Sequence, residues 1–223
     1  MDNKSAFNVK QYDENVRKVI PFYDEIYGQI FDIIQTYSEN RPLSVLDTGC
    51  GSGTFALKAY DCLNIDEMVL CDPSEKMLSD AQNKLKHKNV YYECIGSENL
   101  NYKEKFDVVT AIQSHHYFSR AMREKAVQNC FNSLKSGGIF IYTENIAPFS
   151  ETGKNIVLKR VEKFGINAGR SQEDAAAHSA RYNTEYFPIN ISEHLELLNR
   201  VGFETAEIFW YSYMQGGFYA IKS

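Results

Sequence analysis

The stretch Val45-Leu46-Asp47-Thr48-Gly49-Cys50-Gly51-Ser52-Gly53-Thr54-Phe55 decides the fold of this chain. An apolar run ends in an acid, glycines follow at every second position, and a helix-like pattern then begins. This order predicts a buried strand, a glycine turn and the N-terminus of a helix. Because glycine has no side chain, such a turn lets a ligand lie against the bare backbone.

Length and composition indicate one large domain with a sizeable core. The chain has 223 residues, of which 43% are hydrophobic, and its net charge is −5. An acidic balance disfavours a general nucleic-acid surface, which requires a basic footprint. The cysteines are odd in number and scattered, without CxxC pairs, so we expect neither a disulfide framework nor a metal site.

No segment of the sequence reads as a membrane or export signal. Residues 1–10 are polar, and no apolar run approaches the roughly 20 residues that span a bilayer. We therefore expect a cytoplasmic protein without membrane contact.

Strand and helix patterns alternate along the middle of the chain. Strands are predicted over residues 43–46, 68–71, 90–94, 106–112 and 139–143, and helices over 54–61, 74–85 and 121–134. Ser74 is predicted as the N-cap of its helix, and residues 135–138 as a tight turn. This rhythm predicts an α/β fold with a doubly wound, mostly parallel sheet. Residues 203–211 and 217–222 are predicted to form two closing strands with Gly216-Gly217 near the turn, and their short connection requires an antiparallel pair. The prediction is thus seven strands, with the last antiparallel.

Segments outside this rhythm suggest additions to the sheet. Residues 1–40 are predicted to be an N-terminal helical cap, interrupted at Pro21, and residues 41–223 the main domain. Within that domain, residues 145–190 are too long and polar for an ordinary connection. We predict a helical insertion there, with helical patches around 154–164 and 173–181 separated by Gly165 and Gly169, serving as a cap or as the surface of a homodimer.

The residues after successive parallel strands should converge on one crevice. Asp72 closes the second strand, where a carboxylate can accept two hydrogen bonds from a ribose diol. The alternative is a charge at the start of the following helix. Ser97 and Glu98 follow the third strand, where they meet an adenine edge or form an ordinary turn.

The glycine spacing separates two classes of nucleoside-binding protein. Dinucleotide enzymes use Gly-x-Gly-x-x-Gly, whereas this chain has Gly49-x-Gly51-x-Gly53. That turn resembles motif I of the class I S-adenosylmethionine-dependent methyltransferases. Three further stretches agree with that family: Val69-Leu70-Cys71-Asp72-Pro73-Ser74, Phe106-Asp107-Val108-Val109-Thr110 and Leu134-Lys135-Ser136-Gly137-Gly138-Ile139-Phe140. The resemblance covers about residues 43–144 and the closing strands. It implies a Rossmann-like methyltransferase fold with S-adenosylmethionine as the cofactor.

A narrower resemblance begins before the sheet. Ile20-Pro21-Phe22-Tyr23 is similar to the Val-Pro-Gly-Tyr segment of the carboxy-S-adenosylmethionine synthase family, whose tyrosine touches the cofactor. Gly202-Phe203-Glu204 and the C-terminal strand are also similar. The resemblance implies that Arg181 holds an extra carboxylate across a dimer. Two departures are a shift of about two residues between Arg181 and Gly202, and Ser97 in place of the expected acid.

The resemblance implies in-line methyl transfer and a set of site residues. Aromatic faces of Tyr23 or Tyr12 can stabilise a sulfonium, and Asp47 can fix the cofactor's ammonium or satisfy turn amides. Tyr12 and Arg181 are the candidate substrate contacts. The candidate cofactor contacts are Tyr23, Asp47, Gly49, Cys50, Gly51, Gly53, Asp72, Pro73, Ser97, Glu98, Ile112 and Gln113.

Histidines are the candidate general bases, since their pKa suits neutral pH. His115 and His116 directly follow the fourth strand, and His178 lies in the insertion. The alternative is that these residues serve packing or lie at the surface.

The function predicted first is transfer of a methyl group from S-adenosylmethionine to a small-molecule nucleophile. The alternatives are an enzyme that remodels the cofactor, as carboxy-S-adenosylmethionine synthases do, a tRNA-related methyltransferase, and a non-catalytic cofactor-binding protein.

Overall fold

The computed structural model describes residues 15–223, which contain one sheet of seven strands. Its strands are β1 Leu43–Thr48, β2 Ile65–Cys71, β3 Val90–Glu93, β4 Phe106–Ile112, β5 Leu134–Asn145, β6 Thr205–Ser212 and β7 Gln215–Ile221. The helices are α1 Tyr23–Ser38, α2 Thr54–Cys62, α3 Glu75–Leu85, α4 Arg120–Ser133, α5 Glu151–Asn167, α6 Gln172–Ala180 and α7 Ile191–Val201, with short 3-10 turns at Val16–Lys18, Ser97–Asn99 and His115–Tyr117.

The strand order is β3-β2-β1-β4-β5-β7-β6. Strands β1 to β5 pair in parallel, and β7 runs antiparallel to both of its neighbours. The predicted fold class is therefore confirmed. The order along the chain reverses between β1 and β4, and such a switch point opens a crevice at the carboxyl ends of the strands.

Helices cover both faces of the sheet. Ile30 and Ile34 of α1 are fully buried against Val45 of β1 and its neighbours on one face. On the other face, Val127 of α4 and Leu198 of α7 pack against the sheet. Because the inner strands are buried on both sides, they read as continuous apolar runs. No helix within residues 15–223 combines the length and apolarity needed to cross a membrane.

The tight turn predicted over residues 135–138 is wrong. These residues belong to β5, although Gly137 has a φ of 70°. The Gly137 N–H donates to the Lys222 carbonyl at 2.7 Å, and the Lys222 N–H donates to the Gly138 carbonyl at 3.0 Å. A pairing with the far end of the chain thus overrides the local glycine signal.

Gly216 and Gly217 were predicted to lie near the closing turn, with the last strand beginning at Gly217. They do lie close to the turn, but β7 begins two residues earlier, at Gln215, so both glycines belong to the strand. The turn is made by Tyr213 and Met214, with Tyr213 at a φ of 55°. A side chain at either glycine would collide with Ile146 or Phe209. These glycines therefore serve close packing on the sheet, which a turn-based interpretation misses.

The insertion consists of α5 and α6. The break predicted at Gly165 is wrong, because α5 continues to Asn167. A Cβ at position 165 would lie 3.5 Å from the Lys18 carbonyl, an ordinary van der Waals distance, so the helix packs next to the N-terminal segment here. Gly169, at a φ of 92°, follows the end of the helix.

Candidate functional site

A cavity of about 250 Å³ lies at the carboxyl ends of β1, β2 and β4, where the strand order reverses. It is lined by the glycine turn, the ends of these strands and the first helix. Its lining residues are Tyr23, Tyr27, Asp47, Gly49, Cys50, Gly51, Ser52, Thr54, Phe55, Asp72, Pro73, Ser74, Met77, Gly96, Ser97, Glu98, Ile112, Gln113, Ser114, Tyr117, Phe118 and Met122. All of the predicted cofactor contacts except Gly53 are among them.

The three glycines of the turn have positive φ angles and different surroundings. A Cβ at Gly49 would lie 2.5 Å from the Ser114 Cβ, whereas a Cβ at Gly51 would meet nothing within 4 Å. A Cβ at Gly53 would lie 3.0 Å from the Ala81 Cβ of α3, so this glycine faces the helix and not the cavity. Gly53 therefore serves helix packing, while Gly49 and Gly51 form the wall of the cavity.

Gly49→Ala is expected to destabilise the fold more than Gly51→Ala. Both variants place a side chain in the left-handed region, at a cost of about 1–2 kcal/mol. Only Gly49→Ala adds a collision with Ser114, which costs about 1–3 kcal/mol more. Urea unfolding of both variants measures the difference. Equal losses of unfolding free energy would contradict this role for Gly49.

Asp72 joins the glycine turn to helix α3. Its carboxylate is 8% exposed and accepts hydrogen bonds from the Gly51 N–H and the Ser74 N–H, both at 2.9 Å. Burial raises its pKa, against the lowering effect of these two bonds. The position of Asp72 is compatible with both predicted roles, because the carboxylate anchors the start of α3 and also faces the cavity, where a ribose diol could bind.

Asp47 is a buried acid, and only one of its two carboxylate oxygens accepts a hydrogen bond within residues 15–223. Its Oδ1 accepts from the Thr110 hydroxyl at 2.8 Å, and its Oδ2 has no hydrogen-bond partner within residues 15–223. Burial raises the pKa of Asp47 to about 7, with a smaller contribution from the Asp72 charge. A buried carboxylate oxygen on the cavity wall suits a cationic group of a ligand.

Ser97 and Glu98 differ in their freedom to meet a ligand. The Ser97 hydroxyl accepts from the Thr48 hydroxyl at 3.0 Å and lies 3.0 Å from His115 Nε2. Glu98 Oε1 accepts from Asn99 at 3.0 Å, while its buried Oε2 has no hydrogen-bond partner in the described part of the chain. Glu98 is therefore the better placed of the two to accept a hydrogen bond from a base.

The predicted histidine bases are not brought to the cavity. His115 and His116 are 0% and 3% exposed, and neither lines it. Burial, aided by the Arg123 charge, lowers the pKa of His115 to about 3. His178 also lies outside the lining, and burial lowers its pKa to about 4. Such histidines stay neutral near pH 7 and serve as packing and hydrogen-bonding groups.

The remaining predicted contacts have different positions. Tyr23 lines the cavity, its hydroxyl lies 3.3 Å from that of Tyr27, and the Arg17 guanidinium lies 5.3 Å from its ring centroid. Arg181 is not a lining residue, and its Nε donates to Glu185 at 2.7 Å. Tyr12 lies outside the described residues.

Sequence reasoning missed several residues of the wall. Tyr117 and Phe118 directly follow the two histidines that were named, and the turn at His115–Tyr117 directs the tyrosine to the cavity. Tyr27 lies one helical turn after Tyr23, so the i, i+4 spacing carried a usable signal. Ser114 lies within residues 112–116, which directly follow the fourth strand and were expected at the crevice for that reason, although it was not named as a contact.

The lining residues fit S-adenosylmethionine. Gly49 and Gly51 leave room for a ligand against the backbone, and Asp72 can accept from a ribose diol. The unpartnered oxygens of Asp47 and Glu98 can accept from an ammonium and an adenine amino group. A bound cofactor would supply the sulfonium that activates the methyl group.

Comparisons with known proteins agree with this fit. A family model described as "Methyltransferase domain" matches residues 45–138. A carboxy-S-adenosyl-L-methionine synthase from Helicobacter pylori is 30% identical over 206 residues, covering 88% of this chain and 84% of that protein. A protein of the same name from Nautilia profundicola is 24% identical over 198 residues, with the same two coverages.

Solved structures show the same fold. Magnesium protoporphyrin IX methyltransferase from Synechocystis, with bound SAH, superposes with a TM-score of 0.65 at 15% identity, covering 93% of this chain and 86% of that one. A putative methyltransferase from Bacillus halodurans gives a TM-score of 0.62 at 16% identity, covering 85% and 96%. The chain therefore belongs to the class I S-adenosylmethionine-dependent methyltransferase family, uses S-adenosylmethionine as its cofactor, and is a relative of the carboxy-S-adenosyl-L-methionine synthases.

Proposed function

We propose that this protein transfers the methyl group of S-adenosylmethionine to a small-molecule nucleophile. The observation that carries the proposal is the charge of the cavity wall. Asp47, Asp72 and Glu98 line the cavity, and none of its lining residues within the described chain is a lysine or arginine. This wall favours the cationic, unmodified cofactor over one that carries an additional carboxylate.

The contribution of the protein to such a transfer is alignment and exclusion of water. Tyr117, Phe118 and Met122 give part of the wall an aromatic and apolar character. Holding two reactants in line within one site can account for a large share of the rate. No histidine lines the cavity in residues 15–223, so the proposal assigns no histidine as base.

Mass spectrometry of the purified protein, followed by a transfer assay, tests this function. We expect bound S-adenosylmethionine or S-adenosylhomocysteine. We also expect label from methyl-labelled cofactor to enter compounds of a small-molecule extract as S-adenosylhomocysteine accumulates. Bound cofactor with no transfer to any extract would instead support a non-catalytic binding protein. Transfer only to tRNA would replace the small-molecule proposal.

The affinity for S-adenosylmethionine is expected to rise with pH between pH 5.5 and 7.5. The pKa of Asp47 in the free protein is about 7, so its carboxyl is neutral at the lower pH and ionised at the upper one. The ammonium of the cofactor binds the ionised form better, so the affinity falls by up to tenfold per pH unit below the pKa.

Calorimetric titrations across this range measure the pH effect, with Asp47→Asn as the matched variant. The asparagine keeps the shape but does not ionise, so its affinity is expected to be weaker and nearly independent of pH. An equally steep pH dependence in Asp47→Asn would assign the effect to another group.

A second candidate function is the remodelling of the cofactor to its carboxylated form. The relatives from Helicobacter pylori and Nautilia profundicola, named carboxy-S-adenosyl-L-methionine synthases, favour it. The residue assigned to the carboxylate would be Arg181, which here pairs with Glu185. A cofactor one carboxylate heavier in the purified protein, lost selectively in Arg181→Ala, would establish this function in place of methyl transfer.

A further inference from the structure

Ser97 places a buried hydroxyl at the cavity wall, and this hydroxyl has two close polar partners within the protein. The residue is 2% exposed and begins the 3-10 turn Ser97–Asn99 after β3. Its hydroxyl accepts from the Thr48 hydroxyl at 3.0 Å and lies 3.0 Å from His115 Nε2. The Ser97 carbonyl accepts from the Asn129 side chain of α4 at 3.1 Å. Three other segments of the chain therefore hold this hydroxyl in place.

His115 is a neutral ring that has a hydrogen-bond partner on one side only. The ring is fully buried, and Phe118 and Phe140 are its aromatic neighbours, at centroid distances of 5.4 Å and 6.3 Å. Burial lowers the pKa of His115 to about 3, so near pH 7 the ring has one N–H and one unprotonated nitrogen. Nε2 faces Ser97, whereas Nδ1 has no hydrogen-bond partner among residues 15–223.

These surroundings favour the tautomer of His115 that carries its proton on Nε2. On Nδ1 the proton would make a buried N–H without an acceptor, and such donors are rarer in proteins than acceptors that lack a partner. On Nε2 the proton is donated to the Ser97 oxygen, and only a lone pair on Nδ1 stays unpaired. The hydrogen bond to Ser97 thus fixes the protonation of the ring.

The direction of these hydrogen bonds decides what Ser97 can offer to a ligand. A serine hydroxyl accepts two hydrogen bonds and donates one. Because Thr48 and His115 use both acceptor positions, the Ser97 proton is left for a partner in the cavity that this residue lines. A ligand therefore meets a donor at this position. The resemblance to the carboxy-S-adenosylmethionine synthases predicts an acid there, which would only accept.

Glu98 supplies an acceptor next to this donor. Its carboxylate folds back over Gly96, where a Cβ would collide with Glu98 Oε2. This oxygen is buried and has no hydrogen-bond partner in the part of the chain that the structure describes. Gly96, Ser97 and Glu98 all line the cavity. Consecutive residues of one turn thus present a donor and an acceptor to the same ligand.

We propose that His115 is a positioning residue, which directs the Ser97 hydroxyl to donate to N1 of the cofactor's adenine while Glu98 accepts from the neighbouring amino group. The inference goes beyond the proposed function, because it concerns the base of the cofactor and not the methyl acceptor. The ribose joins a purine on the side opposite N1 and the amino group. With the ribose at Asp72, which follows β2, that edge is directed to the turn after the neighbouring strand β3.

Calorimetric titration with S-adenosylhomocysteine and with S-inosylhomocysteine tests the inference. The hypoxanthine of the second probe has an N–H at N1 and an oxygen at C6, which opposes both the donor and the acceptor of the turn. We expect the wild type to bind the adenine probe about 100-fold or more tightly, because hypoxanthine leaves two buried polar groups unpaired. Ser97→Ala is expected to lose about tenfold of this preference.

Two substitutions at His115 separate positioning from packing. His115→Leu removes the donor to Ser97, so the hydroxyl is free to turn away from the cavity. The preference for adenine should then fall by about three- to tenfold. His115→Gln restores an N–H near the former Nε2 and should keep most of the preference. A rise in His115→Leu would show that Ser97 donates to the ring, and an equal fall in both variants would show packing alone. Either result would overturn the inference.

The tautomer of His115 can also be observed directly, without a variant that changes the core. Nitrogen NMR of the labelled wild-type protein near pH 7 is expected to show a neutral ring with its proton on Nε2. The loss of the signal in His115→Gln assigns it to this residue. A ring protonated on Nδ1 would overturn the inference whatever the affinities are.

The control variants make the same chemical changes at exposed positions. Ser79→Ala on α3 and His87→Leu just after it should both keep the wild-type preference for adenine. Tight and equal binding of the two probes by the wild type would overturn only the roles of Ser97 and His115. Failure to bind S-adenosylhomocysteine at all would instead overturn the cofactor site, and with it the proposed function.

Discussion

Replacing Asp72 with alanine is expected to weaken the binding of S-adenosylmethionine by about 100-fold or more. Hydrogen bonds to a charged group contribute about 1.5–3 kcal/mol each, and a ribose diol would form two with this carboxylate. The variant also releases the Gly51 and Ser74 N–H groups, so the cavity wall itself loosens. Calorimetry with the cofactor and with S-adenosylhomocysteine measures the loss.

Two further variants separate binding from folding. Asp66→Ala removes an exposed carboxylate near the start of β2, the strand that Asp72 follows. The affinity of this variant for the cofactor should equal that of the wild type. Asp72→Asn keeps the size of the side chain and one acceptor oxygen, so it should fall between the wild type and Asp72→Ala. Unchanged affinity in Asp72→Ala would remove Asp72 from the cofactor site.

Arg123→Met is expected to lower the free energy of unfolding by about 3–5 kcal/mol, because it leaves a buried carboxylate without its counter-ion. Arg123 Nε lies 3.4 Å from Glu144 Oε2, and the two side chains are 2% and 0% exposed. The variant also removes the hydrogen bond to the Phe187 carbonyl. Chemical denaturation followed by circular dichroism measures the change.

The same helix offers the control for this prediction. Arg120→Met removes an ion pair with Glu193 in which the arginine is 78% exposed, and should cost less than about 1 kcal/mol. The double variant Arg123→Met with Glu144→Gln should recover part of the stability, since no buried charge then remains. An equal loss in the two arginine variants would contradict the role of burial.

The loss in Arg123→Met should also depend on pH. Burial raises the pKa of Glu144 to about 7 despite Arg123, so the carboxyl is protonated at low pH and ionised at high pH. A neutral carboxyl needs no counter-ion. The difference from the wild type should therefore be smaller at pH 5.5 than at pH 8.

The parts of the fold that were predicted correctly depend on local signals. Strand β4 was predicted with its exact bounds, because a strand buried on both faces reads as an unbroken apolar run. Ser74 was predicted as the cap of α3, and its hydroxyl accepts from the Met77 N–H. In contrast, the pairing of Gly137 and Gly138 with Lys222 joins residues far apart in sequence, and no local pattern reports it.

In the candidate site, too, the residues marked by local sequence patterns could be predicted, and those placed only by the folded chain could not. The glycine turn and Asp72 could be found because they mark where strands end. The choice between His115, His116 and Tyr117 could not be made, because consecutive residues of a 3-10 turn face different directions. Only the folded chain shows that the tyrosine meets the cavity while the two histidines lie in the core.

The hydrogen bonds around Ser97 have a consequence for how a ligand is received. Thr48 ends β1, Ser97 lies in the turn after β3 and His115 lies in the turn after β4, so two contacts of 3.0 Å join the segments that follow three different strands. The relative positions of these segments are therefore fixed by hydrogen bonds within the protein, before any ligand binds. Entry of a ligand should require little rearrangement there, so that most of the contact energy remains available as affinity.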